Sequence, residues 1–169
     1  MKRAYITMCL LIVLFTAPGL LAYMVYLHPT WISGRTNHGQ LLQPPPLLHS
    51  KYREEKWQLL YWSPQDCTQD CTHHLDDLAR MRLALGRRLY YVDLILAIPN
   101  SAVVPPRTQN LLHKMDGNLI NLTQEDTTEL GIQPAIYLVN PQHFVILSYT
   151  KDQSMHDIFE DLQKMVRDK

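Results

Sequence analysis

The chain has 169 residues, and its 16 lysine and arginine residues balance its 16 aspartate and glutamate residues. This length predicts one domain with additional segments. The neutral balance does not indicate the clustered basic surface of a nucleic-acid-binding protein. The charged fraction of 19% is below the roughly 25% of an average soluble chain. The low value comes from an apolar segment at the N-terminus, which also bears on where the protein resides.

The N-terminal segment predicts a membrane anchor. An uncharged run extends from Ala4 to Leu27, directly after Lys2 and Arg3. About 20 helical residues cross the roughly 30 Å hydrocarbon core, and the preceding positive charges favour a cytoplasmic N-terminus. The alternative, a cleaved signal peptide, would have an apolar region of only about 7–15 residues followed by a small-residue cleavage site. We therefore expect a single-pass anchor in the inner (cytoplasmic) membrane, with the C-terminal domain facing the periplasm.

The composition divides the chain into three regions. We expect a cytoplasmic start and transmembrane anchor at 1–27, a proline-rich linker and lead-in at 28–55, and a domain at 56–169. The three prolines at 44–46 forbid a helix and favour an extended polyproline II segment. Leucine pairs on both sides of these prolines could still dock on the surface of the domain.

Beyond the lead-in, apolar runs of strand length alternate with segments of helical periodicity. The predicted strands are 57–62, 90–98, 118–122, 135–139 and 144–148. The predicted helices are 67–88, 107–114, 124–130 and a last one that Ser154 caps. A parallel section followed by a hairpin and a closing helix predicts an α/β fold, a three-layer sandwich.

Two cysteines, Cys67 and Cys71, stand where the first strand passes into the first helix. Unpaired amides and the positive end of the helix dipole stabilise a thiolate at such a position. Side chains four residues apart on a helix have Cβ atoms about 5–6 Å apart, which is near the range that a disulfide needs. Two thiolates can also hold one soft metal ion. The alternative is a purely structural disulfide or two incidental thiols.

His74 continues the helix face of the two cysteines, because positions i, i+4 and i+7 share one side. It is therefore a candidate metal ligand, and a solvated histidine is the alternative. The third cysteine of the chain, Cys9, lies in the apolar run. The remaining pair is too sparse to staple a domain of about 110 residues. The core must then come from packing, which leaves the pair available for chemistry in an oxidising compartment.

These features together resemble thioredoxin-like proteins and, more narrowly, the Sco/SenC family of cytochrome oxidase assembly factors. The resemblance depends on the anchor, on the spacing of Cys67-Thr-Gln-Asp-Cys71 after an aromatic-rich strand, and on the strand from Ile136 to Pro141 that leads into a hairpin. It covers roughly residues 39–169 and implies a thioredoxin-like fold. It also implies a membrane-anchored extracytoplasmic protein that assists respiratory (cytochrome c) oxidase assembly, by thiol–disulfide reduction of a copper-site partner or by Cu(I) delivery.

The resemblance implies roles for individual residues. Cys67 would attack a partner disulfide, and Cys71 would resolve the mixed disulfide. Pro134 ends a segment that is similar to the thioredoxin loop whose proline is cis and faces the dithiol. We therefore expect Pro134 at the site, after a cis bond; the alternative is a trans proline that starts a strand. The implied partners are a subunit of the respiratory oxidase or a copper chaperone.

The Sco family holds copper with both cysteines and a distant histidine. This chain has no histidine in the corresponding stretch, where Ile132 and Gln133 stand. His74 and, in the predicted hairpin, His143 are the possible replacements. Dithiol chemistry requires no cofactor, and copper is the metal that the resemblance implies. We expect the two cysteines to bind Cu(I) but to hold Cu(II) poorly, because Cu(II) prefers additional nitrogen or oxygen ligands.

Two other functions stay open at this point. One is a general envelope dithiol oxidoreductase without a connection to copper. The other is a non-catalytic accessory or interaction subunit on a thioredoxin-like scaffold, in which Cys67 and Cys71 are structural. A fold does not decide among these functions, because function depends on the site.

Overall fold

The structure, a computed structural model, describes residues 2–28, 37–49 and 55–166. The chain forms two compact units, Met1–Thr36 and Asn37–Lys169. Parts of the predicted linker, at 29–36 and 50–54, lie outside the described residues.

The first unit contains one described helix, α1, over Lys2–Leu27. Its segment Tyr5–Leu27 has a mean hydropathy of 2.3 and is long and apolar enough to cross a membrane, by length and composition. The hydroxyl groups of Thr7 and Thr16 each donate a hydrogen bond to the carbonyl four residues earlier. Such bonds satisfy polar side chains within the helix itself, as an apolar surrounding would require.

The second unit is built on a six-stranded mixed sheet with the order β1-β6-β5-β2-β3-β4. The strands are β1 Gln40–Leu41, β2 Trp57–Trp62, β3 Val92–Pro99, β4 Gly117–Leu122, β5 Ala135–Val139 and β6 Val145–Thr150. The α-helices are α2 Gln69–Ala84, α3 Pro106–Lys114, α4 Gln124–Leu130 and α5 Met155–Met165. A 3₁₀ helix, Gly86–Tyr91, precedes β3.

Strand β2 lies at the centre and sets the directions of its neighbours. It runs parallel to β3 and antiparallel to β5, and β3 runs parallel to β4. Strands β5 and β6 form the hairpin, and the short β1 pairs antiparallel with β6 at the edge. Strand β3 is buried along nearly all of its length, which explains its almost continuous apolar sequence.

Apolar layers cover both faces of the sheet. Helices α2, α3 and α5 pack on one face, where Leu75, Leu112 and Leu162 meet the side chains of the strands. On the other face, Leu130 of α4 and Leu48 of the lead-in pack against the sheet. The predicted three-layer α/β sandwich with an N-terminal apolar helix is therefore confirmed.

Several boundaries differ from those predicted. Helix α2 ends at Ala84 instead of continuing to residue 88, because Gly86 takes a φ of +62° and the chain changes to a 3₁₀ turn. This turn also delays the start of β3 from Tyr90 to Val92. Strand β1 was not predicted, since its two residues are defined by pairing with β6, over 100 residues away in sequence.

The described part of the lead-in, residues 37–49, is attached to the second unit by two buried carboxylates. The backbone amide of His38 donates to Asp161 at 2.7 Å, and the amide of His49 donates to Asp126 at 2.9 Å. Both aspartates are fully buried. A buried carboxylate is stable only when hydrogen bonds replace its hydration. These contacts therefore fix both ends of the segment.

Candidate redox site

The two cysteines lie at the junction of β2 and α2 and form a disulfide. Cys67 lies two residues before the helix, and Cys71 lies in its first turn. Between them, Thr68 has extended backbone angles at the N-cap position. The Cα atoms are 5.3 Å apart, within the 4.4–6.8 Å that disulfides span.

Both sulfur-bearing side chains are buried, with exposed fractions of 2% for Cys67 and 4% for Cys71. They belong to the apolar cluster that also contains Tyr61 of β2 and Leu75 of α2. Thiol–disulfide exchange requires that an incoming thiolate reaches a sulfur atom. The arrangement of the described residues therefore protects this disulfide from a bulky reductant.

The segment between β3 and α3, residues 100–105, is bound through Val103 to the residues at the start of the cysteine pair. The amide of Cys67 donates to the carbonyl of Val103 at 3.1 Å. The amide of Val103 in turn donates to Oδ1 of Asp66 at 2.7 Å. Sequence reasoning did not single out Asp66 or Val103, because no local pattern shows that two residues 37 positions apart will meet.

His74 lies one turn after Cys71 on α2. Its ring stacks on Tyr61, with centroids 5.8 Å apart and an angle of 21° between the planes. Its Nδ1 atom is buried and has no hydrogen-bond partner among the described residues. A buried, unpaired polar atom costs about 1–3 kcal/mol. The neighbouring His73, in contrast, is exposed and lies 3.0 Å from the carboxylate of Asp77.

Tyr61 remains a neutral phenol beside the disulfide. Burial raises its pKa above the ordinary value, and the negative charge of Asp70 raises the pKa further. A neutral phenol adds no charge that would oppose the formation of a thiolate next to it.

Pro134 lies at the same end of the sheet as the disulfide. Ala135, which follows it, pairs with Trp62 at the end of β2. The indole Nε1 of Trp62 also donates to the carbonyl of Gly131 at 2.9 Å, which fixes the segment before β5. Among the described residues the cis bond is Gln43–Pro44. The bond before Pro134 is therefore trans and the expected cis bond is absent there. Pro134 is exposed, and trans is the ordinary preference of an X-Pro bond.

His143 lies at the opposite end of the sheet. Its Nδ1 is 3.1 Å from Nε2 of Gln58, near the start of β2. Strand β5 runs antiparallel to β2, and the turn that follows β5 therefore lies beside the start of β2. The six residues of β2 separate this turn from the disulfide by roughly 16–20 Å. The structure thus does not bring His143 to Cys67 and Cys71.

The donor set fits Cu(I) better than Cu(II). When reduced, Cys67 and Cys71 supply two soft thiolate ligands, which suit Cu(I). Among the residues at 2–28, 37–49 and 55–166, no group of three or more histidine, cysteine or acidic side chains is arranged to hold a metal ion. Cu(II) prefers further nitrogen or oxygen ligands, and no described side chain completes such a set around the two cysteines.

The sheet order, the helices on both faces and a cysteine pair at the first strand–helix junction define a thioredoxin-like protein. Residues 57–167 match the family described as "Transmembrane-like, thioredoxin-like, C-terminal domain". This match covers more than half of the chain, and the protein belongs to that family. A comparison with curated proteins finds no match.

Solved structures with the same fold include Sco-type proteins. The apo Sco1 protein from Thermus thermophilus has 17% identity and a TM-score of 0.54, over 79% of this chain and 99% of its own. Arabidopsis thaliana ScoI with copper bound has 14% identity and a TM-score of 0.51, over 75% and 96%. A DsbF homologue from Corynebacterium diphtheriae has 11% identity and a TM-score of 0.51, over 79% and 96%. The resemblance to Sco-type thioredoxin-like proteins is thus confirmed, and at these identities it establishes the fold.

Proposed function

We propose that this protein is a membrane-anchored dithiol oxidoreductase that reduces the disulfide of a copper-site partner during assembly of a respiratory (cytochrome c) oxidase. Cys67 attacks one sulfur of the partner disulfide, which breaks that S–S bond and leaves a mixed disulfide. Cys71 then attacks Cys67, closes the internal disulfide and releases the second partner thiolate. Two electrons pass to the partner, and solvent supplies its protons.

The single observation that supports this proposal is the disulfide between Cys67 and Cys71 at the junction of β2 and α2. The first sulfur lies just before a helix, where the positive end of the dipole favours a thiolate. The second sulfur lies close enough to close the ring again, since the Cα atoms are 5.3 Å apart. Pro134, at the same end of the sheet, would line the approach of the partner chain.

Copper enters the proposal as cargo of the reduced protein. The two thiolates of Cys67 and Cys71 would hold Cu(I), and the lack of a third donor among the described residues weighs against a stable Cu(II) form. Reduction of a partner and Cu(I) delivery use the same pair of sulfurs. The partner is then a copper-site subunit of the oxidase or a copper chaperone.

A specific observation favours a second function, in which the disulfide only stabilises an interaction module. Cys67 and Cys71 are 2% and 4% exposed, and buried disulfides react slowly with external thiols. The two functions differ in reversibility. A redox-active pair exchanges with a thiol buffer, whereas a structural disulfide stays closed over the physiological range.

The proposed function is tested with the full-length chain purified in detergent and reduced. The oxidised copper-site domain of the oxidase from the same source is mixed with wild type, Cys67→Ser or Cys71→Ser, and its free thiols are counted. We expect complete reduction by wild type alone. Cys71→Ser should stop at a mixed disulfide, because it lacks the resolving thiol. An unchanged partner disulfide with wild type would contradict the proposal.

Metal analysis separates this function from a general envelope oxidoreductase. Reduced wild type should retain Cu(I), and Cys67→Ser should lose it. A protein that reduces many disulfides and retains no copper would be the general enzyme.

We also propose that the anchor lies in the inner membrane and that residues 56–169 face the periplasm. The apolar helix α1 and the preceding Lys2 and Arg3 support this orientation. We expect activity from a reporter that functions only after export when it is fused to the C-terminal side of Lys169. Activity of a cytoplasm-only reporter at the same position would refute the topology.

A further inference from the structure

We propose that the hydrogen bond between Asp66 and Val103 is a latch that holds residues 100–105, the covering loop, over the Cys67–Cys71 disulfide and limits its rate of reduction. Asp66 is then a positioning residue, which acts on the disulfide through the covering loop. The biological meaning of a latch depends on the proposed redox function, because only a disulfide that exchanges needs controlled access.

Two hydrogen bonds hold the middle of the covering loop. The carboxylate Oδ1 of Asp66 accepts from the amide of Val103 at 2.7 Å. The next residue, Cys67, donates its own amide to the carbonyl of Val103 at 3.1 Å. Both polar backbone groups of Val103 are thus bound by consecutive residues, the second of which is a disulfide cysteine. The side chain of Val103 points outward and is 65% exposed.

The ends of the covering loop have separate attachments. The amide of Ala102 donates to the carbonyl of Pro99 at the end of β3. The carbonyl of Val104 accepts from Nε2 of Gln109 in α3 at 3.0 Å. Val104 is buried in the apolar cluster that contains both cysteines. Loss of the Asp66 bond should therefore loosen the middle of the loop, which then keeps only the bond from the Cys67 amide, and leave its ends in place.

Reduction of the disulfide needs an opening of this cover. An incoming thiolate forms a bond with one sulfur, while the S–S bond breaks and its electron pair leaves on the other sulfur. With dithiothreitol, the second thiol of the reagent then displaces the protein sulfur, so that two electrons reach the protein and cyclic oxidised reagent leaves. If the covering loop opens and closes quickly and is rarely open, the observed rate of reduction equals the equilibrium constant for opening multiplied by the reduction rate of the open form.

Substitutions at Asp66 should raise the rate of disulfide reduction by dithiothreitol in a graded order. Asp66→Asn keeps an oxygen that can accept from Val103 but removes its charge, and Asp66→Ala removes the acceptor. We expect the order wild type, Asn, Ala, with Ala about two- to fivefold faster than wild type, since Asp66 is exposed and water competes for its hydrogen bond.

The matched control is Asp70→Ala. Asp70 is an exposed carboxylate in the first turn of α2, and it accepts no hydrogen bond from the covering loop in the described part of the chain. Its removal changes the charge near the sulfurs by the same amount. An acceleration caused only by electrostatics would therefore appear in both Asp66→Ala and Asp70→Ala.

The experiment uses the full-length oxidised chain in detergent and dithiothreitol as reductant, with free thiols alkylated and counted over time. Hydrogen–deuterium exchange of a peptide that spans residues 100–105 is measured on the same samples. The latch predicts faster reduction and faster exchange in Asp66→Ala, intermediate values in Asp66→Asn and wild-type values in Asp70→Ala.

Two outcomes would overturn the latch. One is an unchanged reduction rate in both Asp66 variants, and the other is equal acceleration in Asp66→Ala and Asp70→Ala. If Asp66→Ala does not fold, the reduction rates of Asp66→Asn and wild type are compared instead, and equal rates overturn the latch. The assay needs no protein partner, and its result therefore stays readable even if the proposed reductase activity fails.

Discussion

A side-chain contact attaches each end of β2 to a segment that adjoins β5, yet only one end carries the cysteine pair. At the end of β2, the indole of Trp62 donates to the carbonyl of Gly131. At its start, the amide of Gln58 meets Nδ1 of His143. The disulfide lies beyond Trp62, and the hairpin turn lies beyond Gln58. The difference follows from strand direction. Because β5 runs antiparallel to β2, the hairpin turn after β5 lies beside the start of β2, whereas the segment before β5 lies beside the end of β2, near the disulfide.

The largest effect should come from removing either sulfur. Cys67→Ser and Cys71→Ser should abolish reduction of a partner, and each should lower the free energy of unfolding by about 2 kcal/mol, the chain-entropy value for so short a loop. The control at the opposite end of β2 is His143→Asn, because asparagine tolerates the φ of +67° found there. It should keep full activity. Loss of activity in His143→Asn would show that the two ends are coupled.

The next prediction concerns the preference of the cysteine pair for Cu(I) over Cu(II), and it compares the histidines near the two ends of β2. Reduced wild type should give no stable absorption band from thiolate-to-Cu(II) charge transfer, since the described residues provide no third ligand at the cysteines. A stable band would contradict this expectation. Its loss in His74→Ala would then identify the local nitrogen, whereas its loss in His143→Asn would require the hairpin to reach the sulfurs.

Trp62→Phe should destabilise the end of β2 that carries the disulfide. The substitution leaves the carbonyl of Gly131 without the indole donor and removes part of a side chain that is buried. We expect a loss of about 1–3 kcal/mol in the free energy of unfolding. Denaturant unfolding measures it, with Trp57→Phe as the control, because Trp57 is only partly buried. Equal losses in both variants would show that the contact with Gly131 contributes nothing.

The smallest effect at neutral pH concerns Tyr149, whose hydroxyl lies 3.1 Å from Asp161. Burial raises the pKa of Tyr149 strongly, and the charge of Asp161 raises that pKa further. The unfolded chain loses this proton near pH 10, while the folded chain keeps it. From about pH 10 upward the free energy of unfolding should therefore fall as pH rises. Unfolding curves between pH 9 and 11 should show a shallower fall in Tyr149→Phe than in wild type.

Local patterns in the sequence predicted most of the fold. The strand at Ala135–Val139 and the helix at Gln124–Leu130 have the bounds that were predicted, because apolar runs and a capping threonine are local signals. Strand β1 and the latch between Asp66 and Val103 could not be predicted, since each joins residues far apart in sequence. The sheet register was also needed to decide which of His74 and His143 lies near the two cysteines.

The same limit explains what the sequence could predict about the site. The C-x-x-x-C spacing predicted that Cys67 and Cys71 lie close together, and the disulfide was among the expected forms. The helix was expected to begin at Cys67 but begins at Gln69, after an extended Thr68. Burial of both sulfurs could not be predicted, since the apolar cluster around them includes residues from distant elements, such as Val104 and Leu112. The bond before Pro134 is trans, which is the ordinary preference of an X-Pro bond.

The central claim, that the Cys67–Cys71 pair is redox-active, is tested most directly by a redox titration. The full-length protein in detergent is equilibrated in dithiothreitol buffers of defined potential, and the reduced fraction is read from alkylated thiols. The account predicts a reversible two-electron transition with a midpoint above about −300 mV. A disulfide that stays closed until the potential falls below that value would be structural, and the proposed function would be wrong.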